Sequence, residues 1–327
     1  MPKVSVILPA YNAEKYIKEA VDSILSQTFG DFELIVINDC SKDSTEQILL
    51  SYTDPRLVYV KNEENLGVAG TLNKGLKLAK GQYIARMDAD DISLPQRIEK
   101  QVAYLDSREN TAVLGTALER FGEGIPLQTR SFSQDPEQMK VDLFFSCGLA
   151  HPSIMMRTDV IRALGGYDMA FEGLEDYELW CRVAREHQVT TLPEVLFRYR
   201  VHPGQVTKNP SEKYLTRIRN LKKRQLEELG METGGEMEEI FFRYCLGEQF
   251  TDAEDIQSFC AFLKSVLEAN QSSECFDPVL LRGVFKAVAV NLAMRLKPSD
   301  AVRLRKKYRL FSATDILMKR LKSLIRH

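Results

Sequence analysis

Short β-branched runs that alternate with helical stretches constrain this chain more than any other feature of it. Val4 to Leu8 is one such run, ended by Pro9, and Phe32 to Ile37 is a second, ended by Asn38-Asp39. Between them, Glu14 to Gln27 places Tyr16, Ile17, Ala20, Val21, Ile24 and Leu25 at helical spacing. The three pieces make a βαβ unit. A second helix is expected from Ser44, where Ser44-Thr45-Glu46-Gln47 resembles a capping box, through Leu50. Leu57 to Val60 reads as a third strand, Val68 to Ala79 as a helix and Gln82 to Met87 as a further strand. This alternation predicts an α/β fold, a mostly parallel sheet with helices on both faces.

Ligands in such sheets bind at the carboxyl ends of the strands, near a switch in strand order. The residues at those ends are Pro9-Ala10-Tyr11-Asn12, Asn38 to Asp43, and Asp88-Ala89-Asp90-Asp91, so the three loops should line one crevice. No Gly-x-Gly-x-x-Gly follows the first strand and no Gly-x-x-x-x-Gly-Lys occurs, which leaves neither a dinucleotide fingerprint nor a P-loop. The third loop is the sharpest signal. A strand that ends in three acids concentrates like charge, which is unfavourable unless a cation or ligand compensates it. Asp88 and Asp90 are two apart, so if strand geometry persists, both side chains leave one face and reach one hard divalent ion.

Other readings of the cluster stay open at this level: a merely solvated loop, an EF-hand and an aspartyl nucleophile. The EF-hand spacing holds at Asp88, Asp90 and Glu99 but fails at Ile92 and Ser93, where a ligand and a turn Gly are needed.

At 327 residues the chain is long enough for one large domain or two. No leader-like segment opens the sequence, and the most apolar stretch, Val284 to Met294, contains Lys286 and Asn291, so neither secretion nor a membrane span is expected. The six cysteines show no metal or redox spacing and read as reduced thiols. The net charge of -2 hides an asymmetry. Residues 208–327 hold 22 Lys/Arg against 16 Asp/Glu, whereas the residues before them hold 22 against 30.

Residues 110–206 mix short strands and loops, with a helix beginning near Asp176. After Pro210 the pattern is helical, in segments near 211–229, 236–248, 252–269, 278–296 and 299–326.

Seven ordered motifs give these stretches a family likeness. They are Val6-Ile-Leu-Pro-Ala-Tyr-Asn12, the run from Asn38 to Thr45, the run from Asn65 to Gly75, Asp88 to Asp91, His151-Pro-Ser153, Glu175-Asp176 and Tyr199-Arg-Val-His202. Over residues 3–207 the chain resembles glycosyltransferase family 2, inverting, sugar-nucleotide-dependent enzymes of the GT-A fold. The likeness implies a Rossmann-like GT-A domain over 1–207, with a nucleotide-sugar half (1–110) and an acceptor half (111–207), followed by a smaller, basic helical region over 208–327. Cys40 stands where the family commonly has Gly, and Thr207 where Ser is usual.

The resemblance also assigns roles. Asp39 reads the base; a carboxylate there accepts from the N3-H of uracil, a bond neutral cytosine does not offer. Pro9, Tyr11 and Asn12 form the wall beside base and ribose, Asn65 and Asn73 lie close to the base, and Arg86 pairs with the acids or donor oxygens. For Asn73, packing within a helix is the competing reading. Asp88 faces the ribose, with Ala89 beside it, and Asp90 with His202 binds Mn²⁺ or Mg²⁺ on the diphosphate. Asp91 is a neighbour that tunes the site. Asp176 is the general base, kept ionised by a helix N-terminus, with a plain N-cap as the alternative. Glu175 contacts sugar hydroxyls and His151 orients a sugar.

The implied activity is transfer of a hexose or N-acetylhexosamine from a UDP-sugar to a glycan or lipid-linked acceptor, in the cytoplasm of a bacterium. The rivals are a non-catalytic sugar-nucleotide-binding subunit, and a nucleotidyltransferase or phosphatase using the acid cluster. The segment from Arg303 to His327 holds nine Lys/Arg and places residues 317, 321, 324 and 325 on one helical face. It reads either as an amphipathic helix on the inner face of the cytoplasmic membrane or as a packed helix with a solvated basic face. Without aromatic stacking surface among its basic residues, no nucleic-acid partner is expected.

Overall fold

The computed structural model describes residues 1–202, 211–316 and 318–319. Thr207 and the whole expected amphipathic face, residues 317, 321, 324 and 325, lie outside them. The chain divides into two compact units, Met1–Leu143 with Cys147–Arg217, and Phe144–Ser146 with Ile218–His327.

The first unit opens with β1 (Val4–Ala10), α1 (Ile17–Leu25), β2 (Phe32–Asn38), α2 (Thr45–Leu50), β3 (Leu57–Lys61), α3 (Gly67–Leu78) and β4 (Tyr83–Arg86). It continues through β5 (Ile92–Ser93), α4 (Arg97–Asp106), β6 (Thr111–Gly122), β7 (Ile125–Arg130), α5 (Pro136–Phe145), β8 (Met155–Arg157), α6 (Thr158–Ala163), α7 (Glu175–Val183) and β9 (Gln188–Arg200). The strands form one sheet in the order β3-β2-β1-β4-β8-β6-β9-β5, with β7 on β6. Pairings among β1 to β4 are parallel, and β6 runs parallel to β9. Strand β8 is antiparallel to both β4 and β6, and β5 to β9. Strand order reverses at β1, which has β2 on one side and β4 on the other.

Register explains the core. Val4, Val6 and Leu8 of β1 stand beside Phe32, Leu34 and Val36 of β2 on one face. That face packs on Ile17, Ala20, Val21 and Ile24 of α1 and on Ile98, Val102 and Leu105 of α4. The opposite face carries Ile7 and Ile37, and α3 lies so close to it that a Cβ on Gly75 would sit 2.5 Å from Ile7 Cγ2. Only glycine fits there.

Three sequence expectations about this unit need correction. Strand β4 stops at Arg86, so the acids occupy a turn rather than a continuing strand. Ser44 makes no capping bond; Asp43 instead accepts from Thr45 N at 3.0 Å and Thr45 Oγ1 at 2.6 Å. The region expected to hold short strands contains β6 and β9, of 12 and 13 residues. Gly115 interrupts the apolar run of β6, and a Cβ there would meet Thr191 Cγ2 at 3.1 Å.

The second unit is helical, with the later turns of α8 (Glu212–Glu228) and α9 (Glu236–Cys245), α10 (Ala253–Ser273), α11 (Pro278–Ala293) and α12 (Pro298–Tyr308). Its centre is aromatic: the ring of Phe241 stacks on Phe144 at 4.6 Å and on Phe262 at 4.7 Å. The expected helix over 299–326 is broken, because Arg309 adopts a left-handed φ of 56° that closes α12. Among the described residues no helix is long and apolar enough to cross a membrane.

Candidate functional site at the strand ends

The first two loops are tied to each other. Asp39 N donates to Ala10 O at 2.8 Å, Asn12 N donates to Ser41 Oγ at 3.0 Å, and Lys42 N donates to Asn12 Oδ1 at 2.8 Å. The Asn12 amide therefore shapes the loop, while Tyr11 is exposed and Pro9 half-buried beside it. Asn12 and Cys40 both adopt left-handed φ, 48° and 64°. The Cys40 value is one that glycine adopts without the strain a side chain brings.

Asp39 is buried and well supplied with donors. Its Oδ1 accepts from Asn62 Nδ2 at 2.7 Å and Leu66 N at 2.8 Å, and its Oδ2 accepts from Gly67 N at 3.1 Å. A carboxylate has about four acceptor positions, so roughly one is left, on Oδ2. Asn65 donates to Asp39 O at 3.3 Å and accepts from Gly67 N at 3.1 Å. Asn73 instead exchanges two bonds with the backbone of Tyr167, its Nδ2 donating to O at 2.8 Å and its Oδ1 accepting from N at 2.9 Å. Packing, rather than a place beside the base, occupies that side chain.

The third loop gathers the acids. Asp88, Asp90 and Asp91 each bring a carboxylate oxygen within 4.8 Å of the others. Arg86, buried at the end of β4, forms an ion pair with Asp88. Asp90 Oδ2 lies 2.9 Å from His202 Nε2, although the two are far apart in sequence. Asp91, read from the sequence as a neighbour that tunes or hydrates the site, is buried: Arg200 N donates to its Oδ1 at 2.7 Å, and its Oδ2 has no hydrogen-bond partner among the described residues. Arg200 Nε also donates to Asp90 O at 2.6 Å, with the guanidinium held between the rings of Tyr16 and Phe121, 4.5 and 4.4 Å from their centroids. Burial first, then mutual repulsion, raises Asp91 well above the usual carboxylate range; burial raises Asp88 too, against the pull of Arg86.

A fourth segment completes the crevice. Glu175 and Asp176 open α7, whose N-cap position is Leu174, so Asp176 is not an N-cap. Asp176 Oδ1 accepts from Tyr177 N at 2.7 Å, and Cys147 Sγ lies 4.0 Å from its Oδ2. Burial raises the Asp176 carboxyl despite that backbone bond, which corrects the expectation that a helix N-terminus governs its ionisation. Burial and then the Asp176 charge push Glu175 up to about 7, with Gly173 N donating to its Oε2 at 2.5 Å. His151 is buried, held neutral by desolvation, with Nε2 2.9 Å from the Tyr167 hydroxyl oxygen. The Arg86 charge acts on Asp88, Asp91, His151, Tyr167 and Asp176, which brings β4, the acid loop and α7 into one electrostatic neighbourhood.

The donor set fits a hard divalent cation. Three carboxylates carry more charge than Arg86 balances, and among the described residues the buried Oδ2 of Asp91 is an acceptor without a donor.

Comparison with known proteins adds the family. Residues 5–165 match the model of Glycosyl transferase family 2. The O-antigen biosynthesis glycosyltransferase WbnJ of Escherichia coli is 35% identical over 207 residues, 61% of this chain and 80% of that protein. The chain belongs to glycosyltransferase family 2. Among solved structures, this family 2 member is similar to S. aureus TarS 1-349 in complex with UDP-GlcNAc, with a TM-score of 0.60 and 20% identity over 94% of this chain and 91% of that one. It spans 49% of a longer TarS chain. It also resembles the mannosyltransferase PcManGT of Pyrobaculum calidifontis in complex with GDP-Man and Mn²⁺, with a TM-score of 0.52 and 17% identity over 94% and 87% of the two chains. At such identities the likeness establishes the GT-A fold of this glycosyltransferase. Sequence reasoning about the family 2 motifs missed Arg200, although it lies inside Tyr199-Arg-Val-His202, and missed Tyr16 and Tyr167, whose contacts no spacing reveals.

Proposed function

We propose that this protein is an inverting, metal-dependent glycosyltransferase that moves a hexose or N-acetylhexosamine from a UDP-sugar to a glycan or lipid-linked acceptor of a bacterial surface polysaccharide. The observation that carries the reading is the crevice itself, where an acid cluster with an unsatisfied acceptor and a desolvated Asp176 share the field of Arg86. The complex of TarS with UDP-GlcNAc and the O-antigen role in the name of WbnJ support the donor and acceptor classes.

Asp39 offers its remaining acceptor position to the uracil N3-H, with Asn65 bracing the same loop and Pro9, Tyr11 and Asn12 beside base and ribose. Asp88, oriented by Arg86, faces the ribose with Ala89 beside it. Asp90, backed by His202 and joined by Asp91, would hold Mn²⁺ or Mg²⁺. When bound, the ion neutralises charge on the departing diphosphate. Asp176 takes the proton of the acceptor hydroxyl as that oxygen bonds to the anomeric carbon; the bond to the diphosphate oxygen breaks on the opposite face, releasing UDP with inversion. A raised pKa makes Asp176 a stronger base than a solvated aspartate. Glu175 contacts sugar hydroxyls, and neutral His151 orients a sugar through Tyr167.

Lipid-linked acceptors place the protein in the cytoplasm against the inner membrane face, where Arg303, Lys306 and Lys307, exposed on α12, meet anionic headgroups. The decisive experiment is a panel of UDP-sugars and GDP-mannose with Mn²⁺, read as release of nucleoside diphosphate with and without EDTA. Release from a UDP-sugar that EDTA abolishes is expected. No release from any donor would sink the reading, and tight donor binding without turnover would favour a non-catalytic subunit.

A further inference from the structure

The amide N–H groups that open a helix lack partners within it. At the start of α3 two carboxylates from distant parts of the chain divide them. Asp39 takes Leu66 N at 2.8 Å and Gly67 N at 3.1 Å. Glu172 takes Val68 N with Oε1 at 2.8 Å and Ala69 N with Oε2 at 3.2 Å. The first acid belongs to the nucleotide subsite, and the second precedes Asp176 by four residues. One helix end thus touches both halves of the reaction.

The same segment is fixed at further points. Asn73, farther along α3, exchanges its two bonds with the backbone of Tyr167. Arg217 donates through Nε to Ala170 O at 3.1 Å and through Nη1 to Glu172 O. Gly67 is shaped by this arrangement: at its φ of +73°, a Cβ would lie 2.6 Å from Glu172 Oε1. Gly173 turns the chain with a φ of +86° directly after Glu172, and its N–H passes to Glu175. From Tyr167 to Glu175 the chain is held by side chains of α3, of α8 and of its own turn.

We propose that Glu172 is a positioning residue that, together with Asn73, clamps the segment from Tyr167 to Asp176 onto α3 and so fixes Asp176 relative to the nucleotide subsite read by Asp39. The proposal rests on the glycosyltransferase reading for what is positioned, but the clamp itself is a property of the fold. A carboxylate that merely capped α3 would raise stability and leave turnover alone. A clamp must move the reacting geometry when it is released, because small misplacements of a base are costly to rate.

The test compares Glu172→Ala, Glu172→Gln and Asn73→Ala with the unaltered protein in amide hydrogen exchange and in donor turnover. For Glu172→Ala, exchange rises at Val68 and Ala69 and also at Glu175 to Tyr177, kcat falls by about 10- to 100-fold, and the donor KM stays within about twofold. Asn73→Ala loosens the same segment from its other end and lowers kcat in the same sense. Glu172→Gln, which keeps one acceptor oxygen, recovers part of both effects. Faster exchange confined to Val68 and Ala69, with kcat unchanged, overturns the clamp and leaves a simple cap. If no donor turns over in the unaltered protein, the activity reading has failed, and the exchange at Glu175 to Tyr177 still decides the clamp.

Discussion

Asp176 and Glu175 are neighbours in the first turn of α7, and burial raises both, yet the proposed chemistry asks opposite things of them. The base must be ionised, so Asp176→Asn should lower kcat by about 10² to 10⁴ while leaving the affinity for UDP within about twofold, measured by single-turnover kinetics and calorimetry. Glu175 is better regarded as a cost of the site. Its folded value of about 7 exceeds the 4.5 of an ordinary glutamate, so the folded state favours its protonated form. That contribution is complete below the unfolded value and is lost as pH rises through about 7, on the order of 3 kcal/mol in all. Glu175→Gln keeps an acceptor for Gly173 N and no titration, so the variant should gain stability relative to the unaltered protein between about pH 5 and about pH 8, read from melts at each pH. A gap that does not widen with pH would remove the burial argument. Cys40 is a third residue with a local cost, since its φ of 64° is left-handed. Cys40→Gly should raise stability by about 0.5 to 1 kcal/mol in chemical denaturation, the relief of the side chain less the entropy of glycine in the unfolded chain. The oddity at this position was legible in the sequence; its cause needed the backbone angle.

Elements decide how the acid loop is held. The loop leads directly into β5, and Ile92 and Ser93 pair with Arg198 and Phe197 of β9, so the strand that ends at Arg200, with His202 two residues beyond, lies beside the acids it serves. The half of the sheet from β1 to β4 was readable from sequence because β1, β2 and β4 are buried on both faces and predominantly apolar, and the edge strand β3 is rich in β-branched and aromatic residues. Strand β5, two residues long, gave no periodic signal, and β6 and β9 pair with register shifts that no local pattern encodes. The same reason hid Arg200. Its partners are Tyr16, at the N-cap of α1, Glu19 on α1, Phe121 on β6 and Asp90 and Asp91 in the loop, so its role exists only after β9 is placed. Arg200→Ala leaves the backbone bond to Asp91 and removes the guanidinium from Asp90 O. Affinity for Mn²⁺ with UDP should fall by about 10- to 100-fold in titration calorimetry with little change in circular dichroism. Unchanged affinity would show that the backbone alone holds the loop.

At the scale of the whole molecule, all the candidate residues fall in the first unit, while the charge split seen in the sequence marks much of the second as basic. The sequence placed the three strand-end loops in one crevice, but it could not show how His202 and Asp176, far along the chain, come to Asp90 and into the field of Arg86, because that depends on sheet order. That convergence has a thermodynamic consequence. A ligand that binds the folded first unit and not the unfolded chain stabilises it by mass action, about 2.7 kcal/mol at 100 times its dissociation constant. For a unit of this size that corresponds to a rise of about 5 to 11 °C in Tm. Mn²⁺ with UDP should therefore raise the melting of the protein in scanning calorimetry, and EDTA should return it to the starting value. If the two units melt as separate transitions, only the one reported by the single tryptophan, Trp180 of α7, should move. Asp90→Asn should abolish the metal-dependent part of the shift and leave the melting of the ligand-free protein nearly unchanged, because its carboxylate is partly exposed and its chief side-chain partner is His202. An undiminished shift in that variant would move the metal away from the acid loop and with it the placement of the diphosphate.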